Sequence, residues 1–313
     1  MIGRRRRAVA AEEPIDLEVG GRHVRITHPG RVIWPATGTT KRELVDYLLA
    51  VAPVLLPHLR RRATMLWRFP EGVDGPGWFQ AQCRGRPPWV DTFHVTARTG
   101  ETLRYCVIEE PATLAWLANL GTIEFHPHAW HIDRPMVPTH IVFDLDPGPP
   151  AGLREAADAA LLVAHRLRTA GLTPIVKTSG SLGLHVAALL DQRETFSRAK
   201  AFARQLAEEL ATSSAGLVIA RSQRTARAGR VYLDWIQNDR NRQLVAPYSP
   251  RATGVPRVST PLTWAEVEGA ARGEVGGLRP TFGEVLARIE SLGDVWTAAE
   301  PGSGRLSLPA IDR

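Results

Sequence analysis

Asp144 and Asp146 stand two residues apart in the stretch Thr-His-Ile-Val-Phe-Asp-Leu-Asp-Pro-Gly, residues 139–148. Ile141 to Leu145 is short and apolar and opens on β-branched residues, and Pro147 with Gly148 stops it, which predicts a buried strand. On a strand the side chains alternate, so Asp144 and Asp146 share a face with Val142 while Ile141, Phe143 and Leu145 point to the core. Two carboxylates held side by side repel each other, and a divalent cation is the usual way to offset that. A strand end running into a polar turn accounts for a lone Asp-x-Asp as well, so other residues must decide.

Three further stretches bear on it. Val231-Tyr-Leu-Asp-Trp-Ile236 reads as a strand with Val231, Leu233 and Trp235 on one face and Asp234 on the other. A carboxylate amid apolar residues is costly unless it is paired or metal-bound. Three carboxylates on adjacent strands make a hard-oxygen site suited to Mg²⁺ or Mn²⁺. The small residues of Ser179-Gly-Ser-Leu-Gly-Leu-His185 predict a tight turn whose backbone amides can cradle phosphate, with His185 as a further donor. His126, His128 and His131 cluster and raise a zinc reading, but further ligands at zinc spacing are missing.

The elements that must position these residues mix helices and strands. Gly20-Gly21 predicts a hairpin turn within 17–34. Thr40 to Glu43 forms a capping box opening a helix with the stripe Leu44, Leu48, Val51 and Leu55; Pro53 is expected to kink it and Pro57 to close it. Strands are expected at Thr64 to Phe69, at two segments within 90–109, at Pro174 to Lys177, at Leu184 to Leu190 and at Ala215 to Ala220. Helices are expected from Pro111 to a stop at Gly121, over Leu153 to Ala170, over Phe196 to Leu210, and from the capping boxes at Thr263 and Thr281. The sum is α/β or α+β around an antiparallel-rich sheet. P-loop and dinucleotide fingerprints are missing.

The chain has 313 residues, 44% of them apolar, enough for one large domain or two small ones. Its 39 basic residues exceed 32 acidic ones for a net +7, and only Lys41, Lys177 and Lys200 are lysine. Arginine-rich positive charge fits a nucleic-acid partner, although genome composition also favours arginine. Cys83 and Cys106 lack a Cys-x-x-Cys or histidine partner motif, which argues against a zinc site or a disulfide. No apolar run is long enough to span a membrane, and Arg4 to Arg7 precede no signal-peptide core. The expected setting is cytoplasmic, reducing and nucleoid-associated. Residues 1–15 read as a mobile basic arm and 296–313 as a frayed tail.

Asp-Leu-Asp-Pro-Gly (144–148), Ser-Gly-Ser-x-Gly-Leu-His-Val (179–186), Leu-Asp-Trp-x-Gln-Asn (233–238) and Ala-Pro-Tyr-Ser-x-Arg (246–251) resemble the polymerase domain of bacterial ATP-dependent DNA ligase D, in the archaeo-eukaryotic primase superfamily. Pro-Gly-Arg-Val-Ile-Trp-Pro (29–35), Gly-Val-Asp-Gly (72–75), Pro-Trp-Val (88–90) and Leu-Gly-Thr-Ile-Glu-Phe-His (120–126) extend the resemblance over about 16–295. It implies a primase-polymerase fold with an RRM-like, antiparallel-rich catalytic sheet flanked by helices in a half over 136–295, behind an N-terminal α/β half over 16–135. It also implies that Asp144, Asp146 and Asp234 are the metal-binding catalytic triad for two Mn²⁺ or Mg²⁺ ions. Ser179, His185, Arg227 and Arg251 then match positions that bind the incoming triphosphate, and His126 an essential histidine near the nucleotide. Trp78 and Phe79 take the place of an aromatic pair that packs on template bases, and Arg31, Lys41, Arg84 and Arg86 become candidate DNA contacts.

Leu182, Gln243 and Ala81 stand where the family has lysines, the last of which holds a recessed 5′-phosphate; Arg84 or Arg86 could substitute. The implied activity is nucleotidyl transfer, adding ribo- or deoxynucleotides from nucleoside triphosphates to a primer, gap or break end, in non-homologous end joining or gap filling beside Ku and a separate ligase. Two alternatives stay open: a primase starting chains de novo, and a catalytically weak DNA-binding module that keeps the fold.

Overall fold

The computed structural model describes residues 13–96, 99–191, 193–221, 223, 226–298 and 308. The expected basic arm lies in large part outside these residues, as do most of the tail and Arg224. Among the described residues no helix is long and apolar enough to cross a membrane.

The N-terminal half opens on the hairpin β1 (Ile15–Val19) and β2 (Arg22–Ile26), with Gly20 and Gly21 at positive φ in the turn. After the short pair β3 (Val32–Trp34) and β4 (Thr39–Thr40) comes α1 (Lys41–Leu59), started by the expected capping box, Thr40 and Glu43 bonding reciprocally. Its stripe Leu44, Leu48, Val51 and Leu55 is fully buried, each side chain contributing about 1.5–3 kcal/mol. Neither Pro53 nor Pro57 ends α1. The helix runs on to Leu59, because tertiary burial of Leu55, Leu56 and Leu59 outweighs the amide that each proline removes. Five more strands follow: β5 (Ala63–Arg68), β6 (Trp78–Gln80), β7 (Thr92–Thr96), β8 (Thr102–Val107) and, after α2 (Pro111–Asn119), β9 (Thr122–Pro127). They form one sheet in the order β6-β5-β8-β7, with β9 also paired to β5.

That sheet corrects the cysteine expectation. The Cys83 amide donates to the Arg104 carbonyl at 2.7 Å, and Cys83 and Cys106 lie 5.0 Å apart at Cα, joined as a disulfide. Two cysteines distant in sequence carry no motif to announce such a bridge.

The second half is built on β10 (His140–Pro147), α3 (Leu153–Thr169), β11 (Pro174–Thr178), β12 (Leu184–Leu189), α4 (Phe196–Ser213), β13 (Val218–Ile219) and β14 (Val231–Asp234). The pair β15 (Pro250–Arg251) and β16 (Arg257–Val258), then β17 (Pro261–Leu262), α5 (Trp264–Ala271), α6 (Phe282–Leu292) and α7 (Val295–Ala298) complete it. Its six-stranded sheet runs β13-β14-β10-β12-β11-β17 and is antiparallel except between β13 and β14. This is the antiparallel-rich α/β architecture expected. Ile141, Phe143 and Leu145 are fully buried in one cluster with Ala156, Ala160 and Val163 of α3 and Leu206 of α4. β13 is shorter than expected. β14 stops at Asp234, whose side chain caps a 3₁₀ turn over Trp235–Gln237, so Trp235 and Ile236 are not strand residues. The halves share a core: Ala246, Tyr248 and Val258 cluster with Leu44 and Phe125, and Tyr47 Oη donates to the Tyr248 carbonyl at 2.9 Å.

Candidate active site

Four side chains stand in one row across the second sheet. Strand register pairs Lys177 of β11 with His185 of β12, His185 with Asp144 of β10, and Asp144 with Asp234 of β14. Residues directly opposite on neighbouring strands share a face. Asp146, two residues along, therefore shares that face.

Hydrogen bonds orient the row. Lys177 Nζ donates to Ser259 Oγ at 2.6 Å and to His185 Nδ1 at 2.7 Å, and His185 Nε2 lies 3.2 Å from Asp144 Oδ1. With Nδ1 accepting, the proton sits on Nε2 and points at the carboxylate. Both ring nitrogens of His185 are thus engaged. Burial, and then the charge of Lys177, keeps this imidazole well below its usual pKa, and burial lowers Lys177 well below the ordinary lysine range. Burial pushes the Asp144 carboxyl up to about 6, against the pull of Lys177. Burial and then the Asp144 charge push Asp146 to about 6.

Asp234 is held differently. Its Oδ1 accepts from the Tyr232 hydroxyl at 3.2 Å and the Ile236 amide at 3.0 Å, and its Oδ2 from Gln237 Nε2 at 3.0 Å. Among the described residues no three His, Cys, Asp or Glu side chains are gathered closely enough to hold a metal ion as they stand, neither the three histidines nor the three aspartates. Asp144 and Asp146 have the hard-oxygen donors a divalent cation takes. Asp234, in register with Asp144, is the third carboxylate that could join such a set.

His185 and Asp144 of the row, with Asp146, open onto a cleft of about 600 Å³ that Phe79, His126, Ser179 and Arg251 also line, while Lys177 and Asp234 are not among its lining residues. The 179–183 turn is placed by its glycines. A Cβ on Gly183 would meet the Leu145 carbonyl at 2.4 Å, and one on Gly180, at φ +75°, would meet Arg251 Cγ at 2.4 Å. Ser179 Oγ accepts the Ser181 and Gly183 amides at 3.2 and 3.1 Å, so two amides expected to serve an anion are already bonded. Arg227 stacks on Tyr232 at 4.1 Å and reaches Asp146 at 3.7 Å. His126 and Arg251 both lean on Glu124: His126 Nε2 lies 2.9 Å and Arg251 Nη1 3.3 Å from its Oε2. Glu124, 1% exposed, also accepts the Ala252 amide at 2.8 Å.

Trp78 and Phe79 are 45% and 56% exposed at the edge of the first sheet. Phe79 stacks on Trp67 at 4.8 Å and meets the His126 ring edge-on. The remaining basic candidates divide. Arg31 is exposed, with Nη1 on the Pro70 carbonyl, and Arg84 is exposed. Arg86 turns its Nη1 onto the carbonyls of Pro87, Pro88 and Val90. Lys41 is no surface cation: it is 4% exposed, its Nζ donates to the Thr27 and Asn119 carbonyls, and burial lowers its pKa to about 8.

Sequence reasoning passed over Glu124, Lys177 and Ser259. Period-two alternation in Ile123-Glu-Phe-His126 was the available signal for Glu124, which shares the face of His126.

The profile of the LigD primase-polymerase domain matches residues 40–296. The chain belongs to the LigD primase-polymerase domain family. It is 36% identical over 281 residues to the multifunctional non-homologous end joining DNA repair protein LigD of Mycobacterium tuberculosis, covering 87% of this chain and 36% of that protein. It is 28% identical over 255 residues to the bifunctional LigD of Bacillus subtilis, covering 79% of this chain and 41% of that one. The chain thus spans less than half the length of either relative. The polymerase domain of M. tuberculosis ligase D, solved in complex with DNA, superposes with a TM-score of 0.82 at 34% identity over 88% of this chain and 97% of that one.

Proposed function

We propose that this LigD-type domain is a DNA-dependent nucleotidyltransferase that adds nucleotides from triphosphates to a primer or break end, in end joining or gap filling. The polymerase unit would occupy 16–295, with halves over 16–135 and 136–295. What supports the reading most is the alignment of His185, Asp144 and Asp234 across three strands, with Asp146 beside them and Arg251 and Ser179 on the same cleft.

Asp144, Asp146 and Asp234 are the residues that would hold two Mg²⁺ or Mn²⁺ ions. Bound there, such ions neutralise the paired carboxylates and stabilise the charge that develops on the transferred phosphoryl group and the departing pyrophosphate. Lys177 and His185 hold Asp144 in orientation, which lets the carboxylate keep one geometry through the reaction. Arg227 and Arg251 supply planar donor forks for the triphosphate, with Ser179 shaping the turn beside it. Glu124 sets His126 and Arg251 relative to each other. Trp78 and Phe79 offer exposed rings on which template bases stack without regard to sequence. The partners of this reading are DNA, nucleoside triphosphates, Ku and a separate ligase, in a cytoplasmic setting.

Primer extension on gapped, blunt and unprimed DNA with Mn²⁺ tests the reading. Extension of gapped or blunt primers is the expected result. Products on unprimed template alone would make the domain a primase, and DNA binding without any product would make it a binding module.

A further inference from the structure

Phe79 is exposed, yet one of its faces is covered. It lies on β6, and strand register sets it opposite Trp67 of β5, which in turn stands opposite Glu124 of β9. Residues opposite one another on neighbouring strands share a face, so Phe79, Trp67 and Glu124 form one row across three strands of the first sheet. Met65 and His126, paired two residues along, lie on the same face, and Met65, Phe79 and His126 line the candidate active-site cleft. Trp78 points the other way, paired with Arg68, whose guanidinium lies 5.5 Å from its ring.

Trp67 does not line the cleft. It stacks on Phe79 with the ring centroids 4.8 Å apart and the planes 16° apart, while the His126 ring stands at 82° to Phe79 at 5.6 Å. The indole is itself half-buried, packed on the first core and 5.2 Å from the Phe69 ring. Phe69 in turn fills the space that a Cβ on Gly77 would need, directly before Trp78 and Phe79. Glu124, buried and bonded to His126, Arg251 and the Ala252 amide, bounds the indole on its other side. The layer of Phe69 and Trp67 thus holds an exposed ring at the mouth of the cleft. A side chain ordered before binding does not lose its freedom on binding, which is the usual cost of such a contact.

We propose that Trp67 is a positioning residue for the template strand, pre-ordering Phe79 to stack on an unpaired template base. The inference rests on the reading of Phe79 as a ring that packs on template bases. It goes further in making that stacking depend on a residue outside the cleft, and it ties the gain to DNA ends that offer an unpaired base.

The test is DNA affinity by fluorescence anisotropy, without nucleotide or metal, for a duplex with a 5′ overhang and for a blunt duplex. The proteins are the wild type, Trp67→Leu, Trp67→Phe, Phe79→Ala and the double variant Trp67→Leu/Phe79→Ala, each checked by thermal melting. Phe79→Ala should lower affinity for the overhang roughly tenfold, the value of stacking one base. Trp67→Leu should lower it roughly three- to tenfold, the value of one aromatic pair, with a smaller change on blunt DNA. Trp67→Phe keeps an aromatic face and should bind nearly as the wild type does. In the Phe79→Ala background, Trp67→Leu should cause no further loss, because it acts through the ring already removed. A merely structural role gives another pattern: a loosened core weakens binding of both DNAs and adds to the loss from Phe79→Ala. Should Trp67→Leu fail to fold, Trp67→Met, apolar and adaptable, takes its place with the same expectations. The proposal is overturned if Phe79→Ala weakens overhang binding while Trp67→Leu does not, or if the two losses add. Equal binding of both DNAs by the wild type, with Phe79→Ala silent, would refute the template-stacking reading itself and the inference with it.

Discussion

Asp144 and Asp234 are direct cross-strand partners, in register between β10 and β14, and His185 is the partner of Asp144 on the opposite side. This places a carboxylate between an imidazole that fixes it and a second carboxylate that repels it.

Glu124 holds two candidate nucleotide ligands with one buried carboxylate. Glu124→Gln keeps the shape and an acceptor for the Ala252 amide but removes the charge that pairs with Arg251. We expect the KM for nucleotide to rise roughly ten- to a hundredfold, the value of a charge-assisted hydrogen bond, with a smaller change in kcat. An unchanged KM in a folded variant would show that Arg251 needs no such anchor.

Gly183 lets the 179–183 turn lie against β10, with no room for a Cβ beside the Leu145 carbonyl. Gly183→Ala should cost about 1–3 kcal/mol, as overpacking does, and lower extension by displacing Ser179. Thermal melts paired with the extension assay check this. A variant as stable and active as the wild type would mean that the turn moves aside freely.

Much of this was legible in the residues. The alternation around Asp144 and Asp146, the capping boxes at Thr40, Thr263 and Thr281, and the Gly20-Gly21 hairpin are local patterns, and the fold realises them. Register is not local. That Asp144 faces Asp234, or that Lys177 faces His185, depends on which strands pair and where, and nothing within a single strand encodes it. For the same reason Lys41 passed for a surface cation and Cys83 and Cys106 for free thiols. Pro57 was read as a helix stop because local propensity is visible in sequence, whereas the core that overrides it is not.

The histidines behind the cleft predict a pH dependence of stability. His140, held down to about 3, stays neutral in the folded chain while an unfolded histidine titrates near 6.5. Above that pH neither state binds the proton. As pH falls below it the unfolded chain gains protons and the native one does not, so stability is lost until about pH 3. Asp144 and Asp146, raised to about 6, act in the opposite sense, so the variant isolates the histidine. Between pH 7 and 5, His140→Gln should lose about 2 kcal/mol less than the wild type in urea unfolding. Equal losses would mean that His140 titrates normally in the folded protein.

Ala81 lacks the charge that a 5′-phosphate needs, and Arg86 spends its guanidinium on its own loop, which leaves the exposed Arg84. A downstream 5′-phosphate should improve binding of gapped DNA by less than roughly tenfold, and Arg84→Ala should remove more of that gain than Arg86→Ala. A gain well beyond tenfold that resists Arg84→Ala would place the phosphate elsewhere.

The central claim is that the carboxylates in register across β10 and β14 carry out nucleotidyl transfer. The most direct measurement is primer extension on gapped DNA, with DNA affinity measured in parallel, for the wild type, Asp144→Asn and Asp234→Asn. The account predicts that either variant loses extension by roughly a thousandfold or more, as removal of a ligand to the catalytic ions should, while DNA binding stays close to the wild type. Extension near the wild-type rate by either folded variant would contradict it.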